Sequence, residues 1–246
     1  MSALIAEIGL NHLGDENRAR STVARVLEAG VDGVTFQIRE PKFYESTERS
    51  RRKLPLDFYR EASITVRRAG ARFGIAIADQ SQVETFAEIG VDFWKTLSWD
   101  FGNESLRAAL FATGAPVFLS TGLSSMNEVV EGSKGVGNGI LIHTQLSQDL
   151  NDVNLKAIPA MAHATGLPVA FGLHSRYHDV LKLALAFEPH SMFFYVKEQG
   201  LEGLFDDDHA LPLDGLPDML RALKQLMPAL GTGKKESMEK PAWVVK

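Results

Sequence analysis

The run Ile5-Ala6-Glu7-Ile8-Gly9-Leu10-Asn11-His12-Leu13-Gly14 passes from a short apolar strand into a polar loop, and a helix start follows near Asp15. If that strand opens a parallel βα barrel, Glu7, Asn11 and His12 stand at its C-terminal mouth, where such barrels build their active sites. A plainer reading has Glu7 capping a turn and Asn11 and His12 satisfying loop backbone.

Outward from this run, apolar segments of strand length alternate with amphipathic segments of helix length. Strands are expected over residues 4–8, 33–38, 72–78, 93–97, 116–120, 140–144, 168–171 and 191–196. Several are apolar nearly throughout, as strands buried on both faces should be. Helices are expected over 17–29, 56–68, 80–89, 104–112, 126–134, 153–165, 178–187 and 216–226. Gly30, Gly70, Gly90, Gly114 and Gly166 stand where helices would end, and glycine accepts the left-handed backbone of such caps. Eight strand–helix units with no proline breaking a strand predict an α/β fold, a single (β/α)8 TIM barrel over residues 1–230. Residues 231–246 read as a C-terminal tail or linker stub, and a doubly wound sheet is the competing architecture.

Composition agrees with one large core. The 246 residues match the roughly 250 typical of this barrel. A net charge of −5 without a basic stripe gives no reason to expect a nucleic-acid partner. No cysteine is present, which excludes disulfides and thiolate metal sites. No apolar run approaches the ~20 residues that span a bilayer, so no membrane partner and a cytoplasmic location are expected. A homodimer is left open. The connection between Gln37 and Leu56 is longer than barrel loops usually are, which suits a lid or clamp. Its basic run, Arg49-Ser50-Arg51-Arg52-Lys53, reads as solvated.

Six pieces of the chain, in order and in approximate spacing, carry a resemblance. They are residues 5–14 (IAEIGLNHLG), 34–37 (VTFQ), 93–100 (FWKTLSWD), 119–122 (LSTG), 152–159 (DVNLKAIP) and 208–211 (DHAL). Together they resemble the barrel domain of the N-acetylneuraminate (sialic acid) synthase family, without the C-terminal antifreeze-like domain that many members carry. The resemblance implies a transferase of carbohydrate biosynthesis. It would condense phosphoenolpyruvate with an N-acetylated amino sugar to a nonulosonic acid, using a divalent metal (Mn or Mg).

The departures from that family are specific. Thr35 stands where the family has a lysine, and Phe73-Gly74-Ile75-Ala76-Ile77 lacks the hydroxyls of Phe-Leu-Ser-Thr-Pro. Gly172-Leu173-His174-Ser175 keeps the histidine of Ser-Asp-His-Thr and loses the aspartate. Tyr195-Val196-Lys197-Glu198 replaces Glu-Lys-His-Phe. The family's two metal-holding histidines thus reduce to His174, with Lys197 in the partner's place, where a protonated lysine has no lone pair to give. The two-histidine site is incomplete and the cofactor is unassigned.

The chemistry asks for anion donors, a means of polarising an aldehyde, and an acid/base pair for water. The catalytic candidates are Glu7 as a base or water-orienting carboxylate and His174 as acid/base or residual metal ligand. Lys197 joins them as a base or imine-forming amine if desolvated, and Asp208 is kept by the resemblance. Substrate-binding candidates are Asn11, His12, Gln37, Arg39, Lys95, Ser98, Asp100, Ser120, Thr121, His143, Tyr195 and His209. Arg39 lies two residues past Gln37 on the same strand face, placed to replace the missing cation. Lys95 could instead pair with Asp100 or Glu7, because a lone charge inside a barrel is costly. Asp206 and Asp207 read as solvated, and one of Trp94 and Trp99 should pack under a helix while the other walls the pocket. Glu7, Lys95, His174 and Lys197 are expected to ring a cup holding a small anion, phosphoenolpyruvate or a sugar derivative. Two other functions fit: a diverged barrel enzyme acting on another small anionic or carbonyl substrate through Lys197, and a non-catalytic binding homologue.

Overall fold

The computed structural model describes residues 2–235 and residues 237, 239, 241 and 243, so part of the expected 231–246 tail lies outside the described residues. In chain order the elements are β1 Ala3–Gly9, α1 Glu16–Ala29, β2 Gly33–Ile38, α2 Thr47–Ser50, α3 Leu56–Arg68, β3 Arg72–Ile77, α4 Val83–Ile89, β4 Phe93–Lys95 and α5 Glu104–Ala112. They continue with β5 Val117–Ser120, α6 Met126–Gly132, β6 Ile140–His143, α7 Ala157–Thr165, β7 Val169–Leu173, α8 Val180–Ala184, β8 Ser191–Lys197, β9 Leu211–Pro212 and α9 Leu216–Leu226. Each of β1 to β8 pairs in parallel with its sequence neighbour, and β8 pairs back onto β1. The sheet is therefore a closed (β/α)8 barrel, as the alternation predicts. Closure leaves the ring without a free edge, which is why purely apolar strands survive in it. The five glycines expected to end helices lie at φ between +72° and +91°.

Strand alternation divides the barrel interior into two layers. The lower layer is apolar: Ile5, Phe93, Phe118, Ile140, Ile142, Ala170 and Phe193 form one buried cluster. Phe118 meets Phe93 and Phe193 edge to face, with ring centroids 5.5 and 5.0 Å apart. Two residues further along a strand is about 6.6 Å. That step turns Ile5 into Glu7, Phe93 into Lys95, Phe118 into Ser120 and Phe193 into Tyr195. The polar mouth therefore sits directly on an aromatic floor. A larger cluster, from Leu4 to Met227, fills the space between strands and helices.

Differences from the sequence reading lie in the loops. Helix α7 starts at Ala157 rather than near 153, because Asp149 caps a 3-10 turn at Leu150–Asp152 and Asn154 adopts φ +42°. Short polar side chains bonded to nearby backbone compete with helix in this way. Strand β4 is only three residues long and ends in a 3-10 turn at Ser98–Asp100. The pair β9, parallel to the end of β8, was not expected. The basic run is not wholly solvated either. Arg52 is buried, donates to Gly203 O at 2.7 Å and lies 4.3 Å from the Phe205 ring centroid.

Gly74 shows how tightly the aromatic floor is filled, since a Cβ there would stand 2.2 Å from Phe93 Cζ. We expect Gly74→Ala to lower unfolding free energy by roughly 1–3 kcal/mol, the usual cost of overpacking, and Phe93→Leu added to it to recover part of the loss. Urea denaturation midpoints of the single and double variants check this, and an unshifted single variant would contradict the packing described.

Candidate active site

At the barrel mouth a cavity of about 170 Å³ is lined by Gln37 and Arg39 from the end of β2, Lys95, Ser98 and Trp99 from β4 and its turn, and Ser120 from β5. His174, Tyr195 and Asp206 complete its polar wall, and Leu10, Leu97, Leu146 and Phe205 its apolar one. Its floor is an ion pair: Lys95 Nζ donates to Glu7 Oε2 at 2.5 Å, with both side chains almost fully buried. Glu7 thus takes the structural option open to Lys95, and the ammonium also faces the rings of Phe193 and Tyr195 at 5.6 and 5.8 Å. Burial makes each partner dependent on the other, since removal of either leaves an uncompensated charge.

Arg39 supplies the second cation. Its guanidinium is held between the rings of Phe43, 4.2 Å away, and Trp99, 4.8 Å away, and donates through Nε and Nη2 to the two Glu40 carboxylate oxygens, each at 3.0 Å. The stack fixes the side chain in place while its edge remains on the cavity. Ser98 and Ser120 hydroxyls share a hydrogen bond of 3.0 Å on the opposite side. Trp94, by contrast, is fully buried and donates its indole N–H to Thr113 Oγ1 at 2.8 Å, so the two tryptophans divide as expected.

Asp206, which reads as solvated in the sequence, instead lines the cavity. The strand-eight loop folds back over the mouth and places its carboxylate beside Tyr195 and the Gly9 backbone. Gly9 sits at φ +56° in a β-bulge, and a Cβ there would stand 2.7 Å from Tyr195 Cε1 and 3.5 Å from Asp206 Oδ2. Burial, reinforced by the charge of Glu7, raises the Asp206 carboxyl from its ordinary range to about 7, against the opposing pull of Lys95, Arg39 and Arg52. Its Oδ1 lies 3.6 Å from His209 Nε2. His209 stacks on His174 with centroids 4.5 Å apart. Desolvation lowers the pKa of both imidazoles, that of His209 to about 4, so both rings are neutral at physiological pH.

Gln37, Arg39, Lys95, Ser98, Ser120, His174 and Tyr195 therefore meet around one volume with Glu7 beneath it. Other candidates stand elsewhere. Asn11 donates to the β8 carbonyl Val196 O at 2.9 Å, and His12 accepts from Gly14 N at 2.9 Å through Nδ1, so both serve backbone. Thr121 donates to Ile142 O at 2.8 Å, and His143 points out of the barrel to Val153 O at 2.9 Å. That outward aim follows from strand alternation, Ile142 being the inward neighbour. Asp100 is half-buried in the β4 turn, off the cavity lining. Asp208 is exposed and accepts from Gln148 at 2.7 Å, and His209 stands behind the cavity lining, against His174, Tyr195 and Asp206.

Lys197 is the largest correction. Its ammonium is held on the Asp207 carboxylate at 2.7 Å and on the Asp207 carbonyl, and it does not line the cavity. An amine so engaged, outside the pocket, is not set to form an imine. Nor do the residues fit a resident divalent cation, because among the described residues no three His, Asp or Glu side chains converge as metal donors. Among the described residues no helix is long and apolar enough to cross a membrane.

Fold and mouth together define a βα-barrel protein with a pocket of small-anion size that carries the side chains of Arg39 and Lys95. The chain belongs to the NeuB family, whose model matches residues 22–235. An uncharacterised protein of Methanocaldococcus jannaschii is 28% identical over 96% of this chain and 74% of its own length. The N,N'-diacetyllegionaminic acid synthase of Campylobacter jejuni is 26% identical over 95% of this chain and 79% of its own. The human N-acetylneuraminate-9-phosphate synthase is 29% identical over half of this chain and 40% of its own. In fold, the chain superposes on the sialic acid synthetase of Leptospira borgpetersenii with a TM-score of 0.88 at 24% identity, over 97% of this chain and 88% of that one. Characterised relatives are thus synthases of sialic and related nonulosonic acids.

Two stability measurements follow. Lys95→Met should cost about 3–5 kcal/mol, because it strands Glu7, whereas Lys95→Met with Glu7→Leu should recover most of that in a double-mutant cycle. Additive losses would contradict a coupled pair. For Asp206, a folded pKa near 7 above the unfolded value means the native state holds a proton that the unfolded chain has lost. Stability therefore falls as pH rises from about 4 to 7. Asp206→Asn should accordingly be more stable than the parent at pH 8, on the order of 1–4 kcal/mol, with no advantage at pH 4. Equal midpoints at both pH values would place Asp206 in water.

Proposed function

We propose that the protein is a nonulosonate synthase that condenses phosphoenolpyruvate with an N-acylated amino aldose. The observation that carries the reading is the pocket itself. Two cations, Lys95 and Arg39, and two hydroxyls, Ser98 and Ser120, face one small cavity in a barrel of the NeuB family. Charge-assisted hydrogen bonds to a phosphate and a carboxylate are the strong contacts such a set provides. The names of the relatives support the same class of reaction.

The protein's own groups can be given roles in it. Arg39 and Lys95, with Ser98 and Ser120, hold phosphoenolpyruvate by its anionic ends. Asp206, protonated near neutrality, donates to the aldehyde oxygen as C3 of phosphoenolpyruvate bonds to the aldehyde carbon. Positioned general acids of matched pKa contribute typically 10²–10⁴-fold. Water then adds to the electron-poor C2, and Glu7, whose Oε1 is not taken by Lys95, accepts its proton. Collapse of that adduct breaks the C2–O bond to phosphorus, releasing inorganic phosphate and leaving a ketone at C2. Atoms balance as phosphoenolpyruvate, aldose and water in, and nonulosonate and phosphate out.

The test is release of inorganic phosphate from phosphoenolpyruvate with N-acetylmannosamine, run with and without EDTA. Release that requires both substrates is expected, and none in any arm would remove the assignment. Because Asp206 must carry a proton, kcat should decline as pH rises through about 7. Asp206→Asn should lose roughly 10²-fold or more in kcat and flatten that limb of the profile. A profile unchanged by the substitution would assign the proton to another group.

A further inference from the structure

Beside the cavity, and separated from it by Leu146, lies a second opening of about 520 Å³ between the loops that follow β5 and β6. Leu146 lines both. The chemistry of the two spaces differs. The inner one carries Arg39 and Lys95, whereas the outer one has no lysine or arginine in its lining. Its polar groups are the amides of Gln145, Asn151 and Asn154 and the Ser147 hydroxyl, and its one charged side chain is Asp152. Asp152 Oδ2 accepts from Ser147 Oγ at 2.5 Å, which turns the carboxylate into part of the loop's own frame. Arg176, from the loop after β7, is bonded to Gln148 Oε1 at 3.2 Å. Two aliphatic side chains, Leu123 and Leu146, stand in the same lining at 61% and 42% exposure.

Amides beside exposed leucines match the hydroxyls and carbons of a neutral sugar tail. They also make a poor seat for a phosphate, which would meet no cation and one fixed carboxylate. The relatives include synthases named for both free and phosphorylated products, so the distinction is one the family makes. We propose that this outer cleft is the specificity subsite for the tail of the aldose, and that it selects an uncharged tail over a phosphorylated one. The proposal rests on the synthase reading above and adds to it which aldoses are accepted and which residues decide. The amides of Gln145 and Asn154 bond the tail's hydroxyls, Leu123 and Leu146 cover its carbons, and Asp152 repels a phosphate ester. Selectivity of this kind comes as much from the repulsive element as from the attractive one.

The experiment compares kcat/KM for N-acetylmannosamine and for its 6-phosphate, with phosphate release from phosphoenolpyruvate as the readout. The neutral aldose should be preferred by about tenfold or more, the effect of one unfavourable charge contact of ~1.4 kcal/mol. Leu123→Arg, at an exposed site, should narrow that ratio at least severalfold by supplying the missing cation, and Asp152→Asn should narrow it in the same direction. Equal use of the two aldoses, preference for the phosphate ester, or a ratio that neither variant moves would overturn the subsite while leaving the synthase reading standing. Failure of both aldoses to release phosphate would remove the synthase reading and the subsite with it.

Discussion

The ion pair between Glu7 and Lys95 is the constraint around which the mouth of the barrel is arranged. Two almost fully buried charges face each other there, and their mutual attraction offsets a desolvation penalty of several kcal/mol per ion. The pair ties β1 to β4 across the barrel interior, 88 residues apart in sequence. Everything in the cavity is placed relative to it. Phe93, Phe118 and Phe193 hold it up from below, Tyr195 closes one side, and Arg39, locked between two rings, stands as the second positive group above it. A buried pair of this kind is weak evidence for stability as such. It is better evidence for a site, because an apolar pair would fill the same space at less cost.

Asp206 gives the site a second property that the ion pair alone does not have. A carboxyl near pKa 7 beside a fixed cation and a fixed carboxylate can hand over a proton at neutral pH. The divergence of environment between Glu7, paired, and Asp206, desolvated and near a like charge, is the arrangement by which two carboxyl groups take opposite acid and base roles. In a chain whose described residues do not assemble three metal donors, a proton donor at the aldehyde is the chemical alternative to a Lewis acid.

The barrel was legible in the sequence because its signals are local and repeated. Apolar runs such as 191–196 read as doubly buried strands, and glycines such as Gly30 and Gly166 marked where helices stop. Much of the inner site was legible too: Gln37, Arg39, Lys95, Ser98 and Ser120 lie at strand ends, where period-two alternation decides which face a side chain takes. That same rule misplaced His143, whose register differs by one residue from the inward set. Asn11 and His12 are near the mouth, but the Gly9 bulge turns them into the loop. The strand-eight loop was the least legible part. Nothing in Asp206-Asp207-Asp208 says which carboxylate turns inward; that is decided by Phe205, half-exposed, lying 5.6 Å from the Phe43 ring and under Arg52. Contacts of that range between two loops leave no local trace. Lys197 was displaced by the same event, since the loop brings Asp207 to it.

The most direct test of the central claim is calorimetric titration of phosphoenolpyruvate into the parent protein and into the Glu7→Leu, Lys95→Met double variant, which keeps the interior neutral and filled. If the buried pair is the floor of an anion pocket, the parent binds and the variant, still folded, loses affinity by about tenfold or more, the worth of one charge-assisted contact. Equal affinity in the two proteins would mean that the anion, if it binds at all, binds somewhere other than over Glu7 and Lys95.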